Sequence, residues 1–181
     1  MISVNLFAQP GSGKSTTAAF VFAYLKNRGC NVELVSEFAK QLTYQKRQHE
    51  MSNQVYLLAK QYKKMKDIES YGKVPMIITD SPILIGLMYA RDLDYYYQLS
   101  ELTLKLHGQF TNVNVLVNRT KPYNPSGRNQ TEEESNALAE KVLELPVSFD
   151  YRINGDENGQ KAFAKKMLAL YKLVDKKAKK V

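Results

Sequence analysis

The fold of this chain of 181 residues is decided by the stretch Ala8-Gln9-Pro10-Gly11-Ser12-Gly13-Lys14-Ser15-Thr16. The stretch follows a run of strand-forming residues, Ile2 to Phe7, and precedes apolar residues at helical spacing. Glycines in a turn between a strand and a helix let successive backbone N–H groups point at an anion, and the positive end of the helix dipole favours negative charge there. The stretch therefore predicts a phosphate-binding loop.

Two side chains of this loop have the chemistry that a nucleoside triphosphate needs. Lys14 is expected to reach the β- and γ-phosphates, and the hydroxyl of Ser15 is expected to bind Mg²⁺. Ala8 stands where the first glycine of such a loop is usual, and alanine fits there only if its φ is negative. We therefore predict ATP and Mg²⁺ as cofactors. The predicted cofactor-binding residues of the loop are Pro10, Gly11, Ser12, Gly13, Lys14, Ser15 and Thr16.

Outward from the loop, strand-forming runs alternate with segments of helical periodicity. After the first strand, further strands are predicted at residues 31–35, 75–79, 112–117 and 149–153. Helices are predicted from 14 to 28, from a cap at Ser36, over 48–70, 83–90 and 96–110, from a capping box at Thr131, and from about residue 160. The alternation predicts one α/β domain over residues 1–181, with an open parallel sheet between two layers of helices.

Two carboxylates follow predicted strands and are candidates for catalysis. Asp80 comes directly after the buried strand 75–79, where it would hold the water shell of Mg²⁺ or take a proton from the acceptor. Glu37 follows the second strand, where it would bind an acceptor hydroxyl or act as a base. Each has a structural alternative, since Asp80 would also suit a helix cap and Glu37 the first turn of a helix.

The loop 119–130 is rich in basic residues and has no apolar period. Arg119, Lys121 and Arg128 could close over a triphosphate like a lid and stabilise charge on the transferred phosphoryl group. A solvated basic loop is the alternative. In the helix 48–70, Gln54 and Gln61 share one face and are hypothesised to read a base.

The net charge of +8 and the pI near 9.4 are those of many nucleic-acid-binding proteins, but the charge is concentrated at one end. Residues 161–181 hold eight lysines and one acid, which leaves a net charge of +1 for the rest. The apolar positions of this last segment recur at helical spacing, so the lysines are expected on the outer face of a Lys-rich helix over 160–180.

The cysteine content and the length of the apolar runs bear on the cellular location of the protein. The single cysteine, Cys30, cannot form an internal disulfide, and no signal peptide is recognisable before the phosphate-binding loop. No apolar run approaches the roughly 20 residues that cross a bilayer. We therefore expect a cytoplasmic protein without membrane contact. The histidines have no partners at metal-ligand spacing, so zinc is not expected.

Residues 10–16 resemble the phosphate loop of the nucleoside and nucleotide kinases in the P-loop superfamily. The segment Ser36-Glu37-Phe38-Ala39-Lys40 is similar to one in the ribosylnicotinamide-kinase-like (AAA-type) ATPases, and Asp80-Ser81 and the 122–128 loop fit that pattern. This resemblance implies the P-loop NTPase three-layer fold with five parallel strands in the order 2-3-1-4-5. It also implies that adenine packs near Gly155-Asp156, which makes Asp156 a cofactor-binding candidate.

These observations favour a Mg-ATP-dependent kinase that moves the γ-phosphoryl group of ATP to a hydroxyl or phosphate of a small nucleoside- or nucleotide-type acceptor. Two alternatives stay open: a kinase of DNA or RNA ends or bases guided by the terminal lysines, and a binding module in which ATP orders the basic loop as a switch. The residues predicted to act in catalysis are Lys14, Glu37, Asp80, Arg119 and Arg128.

Overall fold

The computed structural model describes residues 1–126 and 130–178, with side chains to residue 175. Five parallel strands form one sheet in the order β2-β3-β1-β4-β5. The predicted fold class and strand order are thereby confirmed. The strands are β1 (Ile2–Phe7), β2 (Val32–Val35), β3 (Met76–Thr79), β4 (Thr111–Asn118) and β5 (Tyr151–Asn154).

Helices cover both faces of the sheet. They are α1 (Lys14–Lys26), α2 (Phe38–Tyr44), α3 (Gln48–Ser52), α4 (Gln54–Tyr71), a 3₁₀ helix (Ile83–Tyr89), α5 (Tyr96–His107), α6 (Glu132–Leu143) and α7 (Glu157–Ala178). The core on one face packs α1 and α7 on the sheet through Val21, Phe163 and Met167. The core on the other face packs α4, the 3₁₀ helix, α5 and α6. This is the predicted three-layer arrangement.

Strand β1 shows why alternation of apolar and polar residues does not by itself mean a half-exposed strand. Its apolar residues Val4 and Leu6 are buried against α1 and α7, but Ser3 and Asn5 are buried as well. The Ser3 hydroxyl donates to Asn5 Oδ1 at 2.8 Å, and Asn5 Nδ2 donates to Asn114 Oδ1 of β4 at 3.0 Å. These side chains can stay in the centre of the sheet because they hydrogen-bond to each other.

The predicted helix 48–70 is two helices, α3 and α4. Asn53 between them has an extended backbone, and its Oδ1 accepts a hydrogen bond from the Tyr56 N–H at 2.9 Å, as a helix cap does. The buried positions of α4 include Gln54 and Gln61, whereas Val55, which we expected on the apolar face, is 46% exposed. The polar cap therefore decides where the helix starts, and tertiary packing decides which face is buried.

Other boundaries differ in smaller ways. Helix α2 begins at Phe38 with Glu37 as its cap residue, so the prediction of a cap at Ser36 is wrong. The segment after β3 forms a 3₁₀ helix, and Leu102 of α5, expected in the apolar stripe, is 46% exposed. The capping box of Thr131 and Glu134 is confirmed, because each side chain accepts from the other residue's backbone N–H.

The Lys-rich last helix begins earlier than predicted, at Glu157, and is described to Ala178, so residues 179–181 of the prediction lie outside the described residues. Phe163 and Met167 are fully buried, and Lys161, Lys165, Lys166 and Lys172 are exposed, as expected. None of the helices within residues 1–126 and 130–178 has both the length and the apolar character of a membrane span.

His107 at the end of α5 should make the stability of the protein depend on pH. Its side chain is buried with Nδ1 unpartnered, and burial lowers its pKa from 6.5 to about 4. The unfolded chain therefore takes up a proton between pH 6.5 and 4 that the folded protein does not, and the folded state loses up to about 3 kcal/mol over this range.

The measurement is the free energy of unfolding at pH 7 and pH 4 for the unmodified protein and for His107→Gln. Carboxylates titrate in both proteins, so the difference between the two isolates the histidine. The stability advantage of the unmodified protein should shrink by up to about 3 kcal/mol on acidification. A difference that does not change with pH would contradict the prediction.

Candidate active site

The predicted phosphate-binding loop leaves the carboxyl end of β1 and enters α1. Gly11 and Gly13 have φ values of 82° and 85°, in the left-handed region that side chains disfavour. Gly13 is the cap residue of α1, and no side chain makes a capping hydrogen bond there. Ala8 meets the condition set by the sequence, since Lys46 is the one residue other than glycine with positive φ in the described part.

Lys14 is held at the mouth of this loop. Its Nζ donates hydrogen bonds to the carbonyl oxygens of Ala8 at 2.8 Å and Gln9 at 3.1 Å, and its side chain lines the adjoining cavity. Each bond has a cationic donor, which makes it stronger than a bond between neutral groups. The position of the ammonium group is therefore set by the same loop whose backbone would bind phosphate.

Two elements distant in sequence hold the loop from outside. The hydroxyl of Ser135 in α6 donates to the Pro10 carbonyl at 2.6 Å. Gly155, after β5, lies against the Ser12 carbonyl, and Gln160 Nε2 of α7 donates to the Gly155 carbonyl at 3.0 Å. Sequence reasoning missed Ser135 and Gln160, because no local motif connects either residue with the loop.

A cavity of about 710 Å³ opens beside the loop. Lys14 and Ser15 line it from the loop side, and Glu37 and Asp80 line it from the ends of β2 and β3. Asp80 is 6% exposed, and its Oδ1 accepts a hydrogen bond from the Glu37 N–H at 3.0 Å. The two predicted carboxylates thus meet at one wall of the cavity, facing the predicted phosphate site.

Neither Asp80 nor Glu37 caps a helix through its side chain. The 3₁₀ helix after Asp80 has Pro82 as its cap residue and no capping side chain, so Asp80 does not cap it. Glu37 precedes the first turn of α2 and makes no side-chain capping bond. Asp80 instead joins the ends of β3 and β2.

The fold is similar to that of known kinases. An APS kinase from Mycobacterium tuberculosis superposes with a TM-score of 0.53 at 16% identity, over 94% of this chain and 96% of that chain. A shikimate kinase from Aquifex aeolicus superposes with a TM-score of 0.53 at 15% identity, over 92% and 94%. This chain has the P-loop kinase fold. No model of a protein family and no curated protein sequence matches it.

In this P-loop kinase fold, burial changes the acid–base properties of the cavity wall. Burial raises the pKa of the Glu37 carboxyl, the positive charge of Lys14 opposes the rise, and the negative charge of Asp80 adds to it. Burial also raises the pKa of the Tyr89 hydroxyl, and the charge of Glu37 adds to that effect. Glu37 is therefore a stronger base than an ordinary glutamate.

Lys64 of α4 is a charged group near the site that sequence reasoning missed. Its Nζ donates to the Ser36 carbonyl at 3.2 Å, next to the turn that carries Glu37. Burial lowers the pKa of Lys64, and the charge of Asp80 opposes the shift. Because helical periodicity alone treats a lysine in α4 as part of a solvated face, only the packing of α4 against the end of β2 reveals this position.

Oxygen donors suited to Mg²⁺ lie on the cavity wall of this P-loop kinase fold. The Ser15 hydroxyl and the Asp80 carboxylate both line the cavity, and Mg²⁺ binds through few protein oxygens together with phosphates and water. Within residues 1–126 and 130–178 no group of three or more His, Cys, Asp or Glu side chains is arranged to hold a metal. The residues present fit a magnesium ion that a bound triphosphate shares.

Ser126 and Gln130 of the predicted lid loop line the cavity, whereas Arg119 and Lys121 are not among its lining residues. Arg119 Nη2 donates to Asn136 Oδ1 of α6 and pairs with Glu132 at 3.5 Å, and Arg119 is not among the lining residues. Arg128 lies outside the described residues. Lys121 is exposed at the start of the loop. The roles of these residues in closing over a triphosphate stay predictions.

Asp156 is placed beside the loop that supports the phosphate site, but its side chain has a structural partner. Its Oδ1 accepts a hydrogen bond from the Gly159 N–H at 2.8 Å, so it caps α7. It does not line the cavity, whose described lining ends at Gln130. A contact of Asp156 with adenine stays a prediction.

The close packing of Gly155 gives a test of the loop's support. A Cβ added there would lie 2.4 Å from the Ser12 carbonyl oxygen and 3.1 Å from that of Asn118, so backbone would have to move. We expect Gly155→Ala to weaken ATP binding by about tenfold or more and to cost about 1–3 kcal/mol of stability. Isothermal titration with ATP and chemical unfolding measure these effects.

Gly108→Ala is the matched control. Gly108 has φ −64°, which alanine adopts readily, and its Cβ would meet nothing closer than 3.4 Å. This variant should bind ATP like the unmodified protein. Equal ATP affinity in Gly155→Ala would show that the contact with Ser12 does not position the loop.

Proposed function

We propose that the protein is a Mg-ATP-dependent phosphotransferase that moves the γ-phosphoryl group of ATP to a small nucleoside- or nucleotide-type acceptor. The observation that carries this proposal is the cavity of about 710 Å³, which is lined both by residues of the predicted phosphate-binding loop and by Glu37 and Asp80. Phosphoryl transfer needs little covalent chemistry from the protein, so positioning and charge stabilisation account for most of the catalysis. A cavity that joins a phosphate site to two carboxylates would supply both the positioning and the charge stabilisation.

On the donor side, the loop and Lys14 would bind the phosphates of ATP. Ser15 and Asp80 would hold Mg²⁺, which neutralises charge that develops on the phosphate oxygens. Lys14 would exchange its bonds to the Ala8 and Gln9 carbonyls for bonds to phosphate oxygens. The loop already holds the cation close to where the phosphates would bind, so little reorganisation is needed.

On the acceptor side, Glu37 would take the proton of an attacking hydroxyl. A base works best when its pKa lies near the working pH, and burial moves the pKa of Glu37 in that direction. The hydrogen bond from the Glu37 backbone N–H to Asp80 Oδ1 holds the backbone that carries this carboxylate. Transfer to a phosphate acceptor is less well supported, since a phosphate would be repelled by two carboxylates.

The position of α7 favours a small acceptor over a polynucleotide. Its exposed lysines lie on the helix that packs with α1, whereas the cavity is closed by α2 to α5. No described residue of α7 lines the cavity. A nucleic acid bound to these lysines would therefore lie on the face of the sheet opposite the helices that line the cavity.

A screen of acceptors tests the proposal. Labelled ATP and Mg²⁺ are incubated with nucleosides, nucleoside monophosphates, ribosylnicotinamide and oligonucleotides, and labelled products are separated. We expect one class of small acceptor to be phosphorylated, and no product with Lys14→Ala. Products formed from oligonucleotides alone would support a polynucleotide kinase. ATP binding through Lys14 without any product would support a nucleotide-dependent binding module.

A further inference from the structure

The turn between β2 and α2, which carries Glu37, is held from outside by α4. Lys64 Nζ donates to the Ser36 carbonyl at 3.2 Å, on the side of the turn before Glu37. Gln61 Oε1 accepts from the Phe38 N–H at 3.2 Å, on the side after it. Lys64 and Gln61 are three positions apart in α4 and therefore lie on one face of the helix. Two side chains of a single helix thus hold the backbone on both sides of the proposed base.

Glu37 itself is held by the end of β3. Its N–H donates to Asp80 Oδ1 at 3.0 Å, so successive backbone groups from Ser36 to Phe38 are bound by side chains of other elements. The first N–H groups of a helix have no partner within the helix, and the side chain of the cap residue often accepts from them. In α2 the side chain of the cap residue, Glu37, makes no such bond, and Asp80 and Gln61 accept instead. The Glu37 carboxylate is thereby not needed for capping and lines the cavity.

The side chain of Phe38 also packs on α4. Its ring meets the Tyr56 ring edge-to-face with 5.5 Å between the centroids, and Lys64 Nζ lies 5.5 Å from the Phe38 centroid. A cation over an aromatic face is attracted to it. Gln61 Nε2 lies 3.5 Å from the Thr79 hydroxyl, at the end of β3. Helix α4 therefore joins the start of α2 to the end of β3, and Lys64 contacts the turn through both a carbonyl and a ring.

Lys64 lies behind the cavity wall. It is half-buried, and it is not among the described residues that line the cavity. An effect of Lys64 on phosphoryl transfer would therefore pass through the turn, or through the attraction between its charge and that of Asp80. The hydrogen bonds of the turn favour the first route, because Gln61, which carries no charge, holds the same turn from the same helix.

We infer that Lys64 and Gln61 are positioning residues, which hold the turn so that the Glu37 carboxylate faces the cavity. The inference rests on the proposed function, because Glu37 is the proposed base. Proton transfer to a base depends steeply on where the base lies, whereas binding of ATP and acceptor does not need that precision. Loss of the hold should therefore lower kcat and leave KM nearly unchanged.

The kinetic test uses the acceptor found in the screen. We expect Lys64→Met to lower kcat by about tenfold, with KM for ATP and acceptor changed by less than about twofold. The Mg²⁺ concentration for half-maximal activity should not change, since the effect does not pass through Asp80. Lys64→Arg keeps a cationic donor and should recover most of the lost kcat. Lys60→Met is the matched control, because Lys60 is one turn earlier in α4, is exposed, and lies 5.5 Å from the centroid of the Tyr56 ring.

A double-mutant cycle shows whether Lys64 acts through Glu37. In a Glu37→Gln background, Lys64→Met should cause no further loss, because the carboxylate that it positions is gone. An equal loss of kcat in both backgrounds would overturn the inference, and so would a normal kcat in Lys64→Met. A normal rate in Glu37→Gln alone would instead overturn the role of Glu37 in the proposed function.

Hydrogen exchange followed by NMR tests the hold without phosphoryl transfer. Lys64→Met and Gln61→Met should each speed exchange of the Glu37 and Phe38 amide protons by about tenfold or more, and Lys60→Met should not. Unchanged exchange in both variants would overturn the inference even if the protein is a kinase. Faster exchange in a protein that phosphorylates none of the acceptors would support the hold and overturn only the proposed function.

Discussion

Replacing Lys14 by alanine should lower the rate of phosphoryl transfer by about a thousandfold or more. The ammonium group is held over the phosphate loop by the Ala8 and Gln9 carbonyls, so it stands ready to neutralise charge on the transferred group. In the variant, no other described residue of the loop supplies the positive charge of the Lys14 ammonium group. The measurement is single-turnover transfer of labelled phosphate to the acceptor found in the screen.

The control for this variant is Lys26→Ala, which removes the same side chain from the far end of α1. Lys26 pairs with Glu33 at 3.0 Å on the surface, away from the cavity. It should transfer phosphate at the normal rate and unfold at a free energy within about 1 kcal/mol of the unmodified protein. If Lys14→Ala kept a tenth or more of the activity, the loop would not be the phosphate site that we propose.

Replacing Asp80 by asparagine should lower transfer by about a hundredfold to a thousandfold. Asparagine keeps an oxygen that can accept from the Glu37 N–H, so the turn between β2 and α2 should stay in place. What is lost is the negative charge that would hold Mg²⁺ near Ser15. The Mg²⁺ concentration for half-maximal activity should therefore rise as the maximal rate falls.

The pH profile of the same variant has a sign that can be worked out. The negative charge of Asp80 contributes to the raised pKa of Glu37. Removing it lowers the pKa of Glu37, so the residual activity should persist to lower pH than in the unmodified protein. Asp67→Asn, on an exposed site of α4, is the control and should change neither rate nor profile. A profile that moves to higher pH would contradict the assignment of Glu37 as the base.

Both variants act at the carboxyl edge of the sheet, where parallel strands present their ends to a ligand. The loop after β1, the turn after β2 and the end of β3 meet there, because β1 and β2 both pair with β3 in parallel register. The hydrogen bond from the Glu37 backbone N–H to the Asp80 side chain joins the turn after β2 to the end of β3. The site is thus assembled by the topology that the strand order dictates.

The sequence by itself determined the glycine-rich loop between β1 and α1, the three-layer α/β fold and the strand order implied by the family resemblance. Each rests on strong local signals. Gly11 and Gly13 take positive φ values that side chains disfavour, and strands such as Met76–Thr79 are nearly continuous apolar runs. The positions of Glu37 and Asp80 followed from the same signals, because a residue after a parallel strand lies at the ligand edge.

Only the tertiary structure decided which side chains are shared between distant segments. Ser135 and Gly155 support the phosphate loop through contacts across more than a hundred residues of sequence, and no local pattern encodes such a contact. Gln54 and Gln61 are alike in sequence, yet packing gives one of them partners at both ends of its amide and leaves the other's oxygen unpaired. Periodicity reports which face of a helix is apolar, whereas hydrogen-bond partners depend on what the fold places opposite that face.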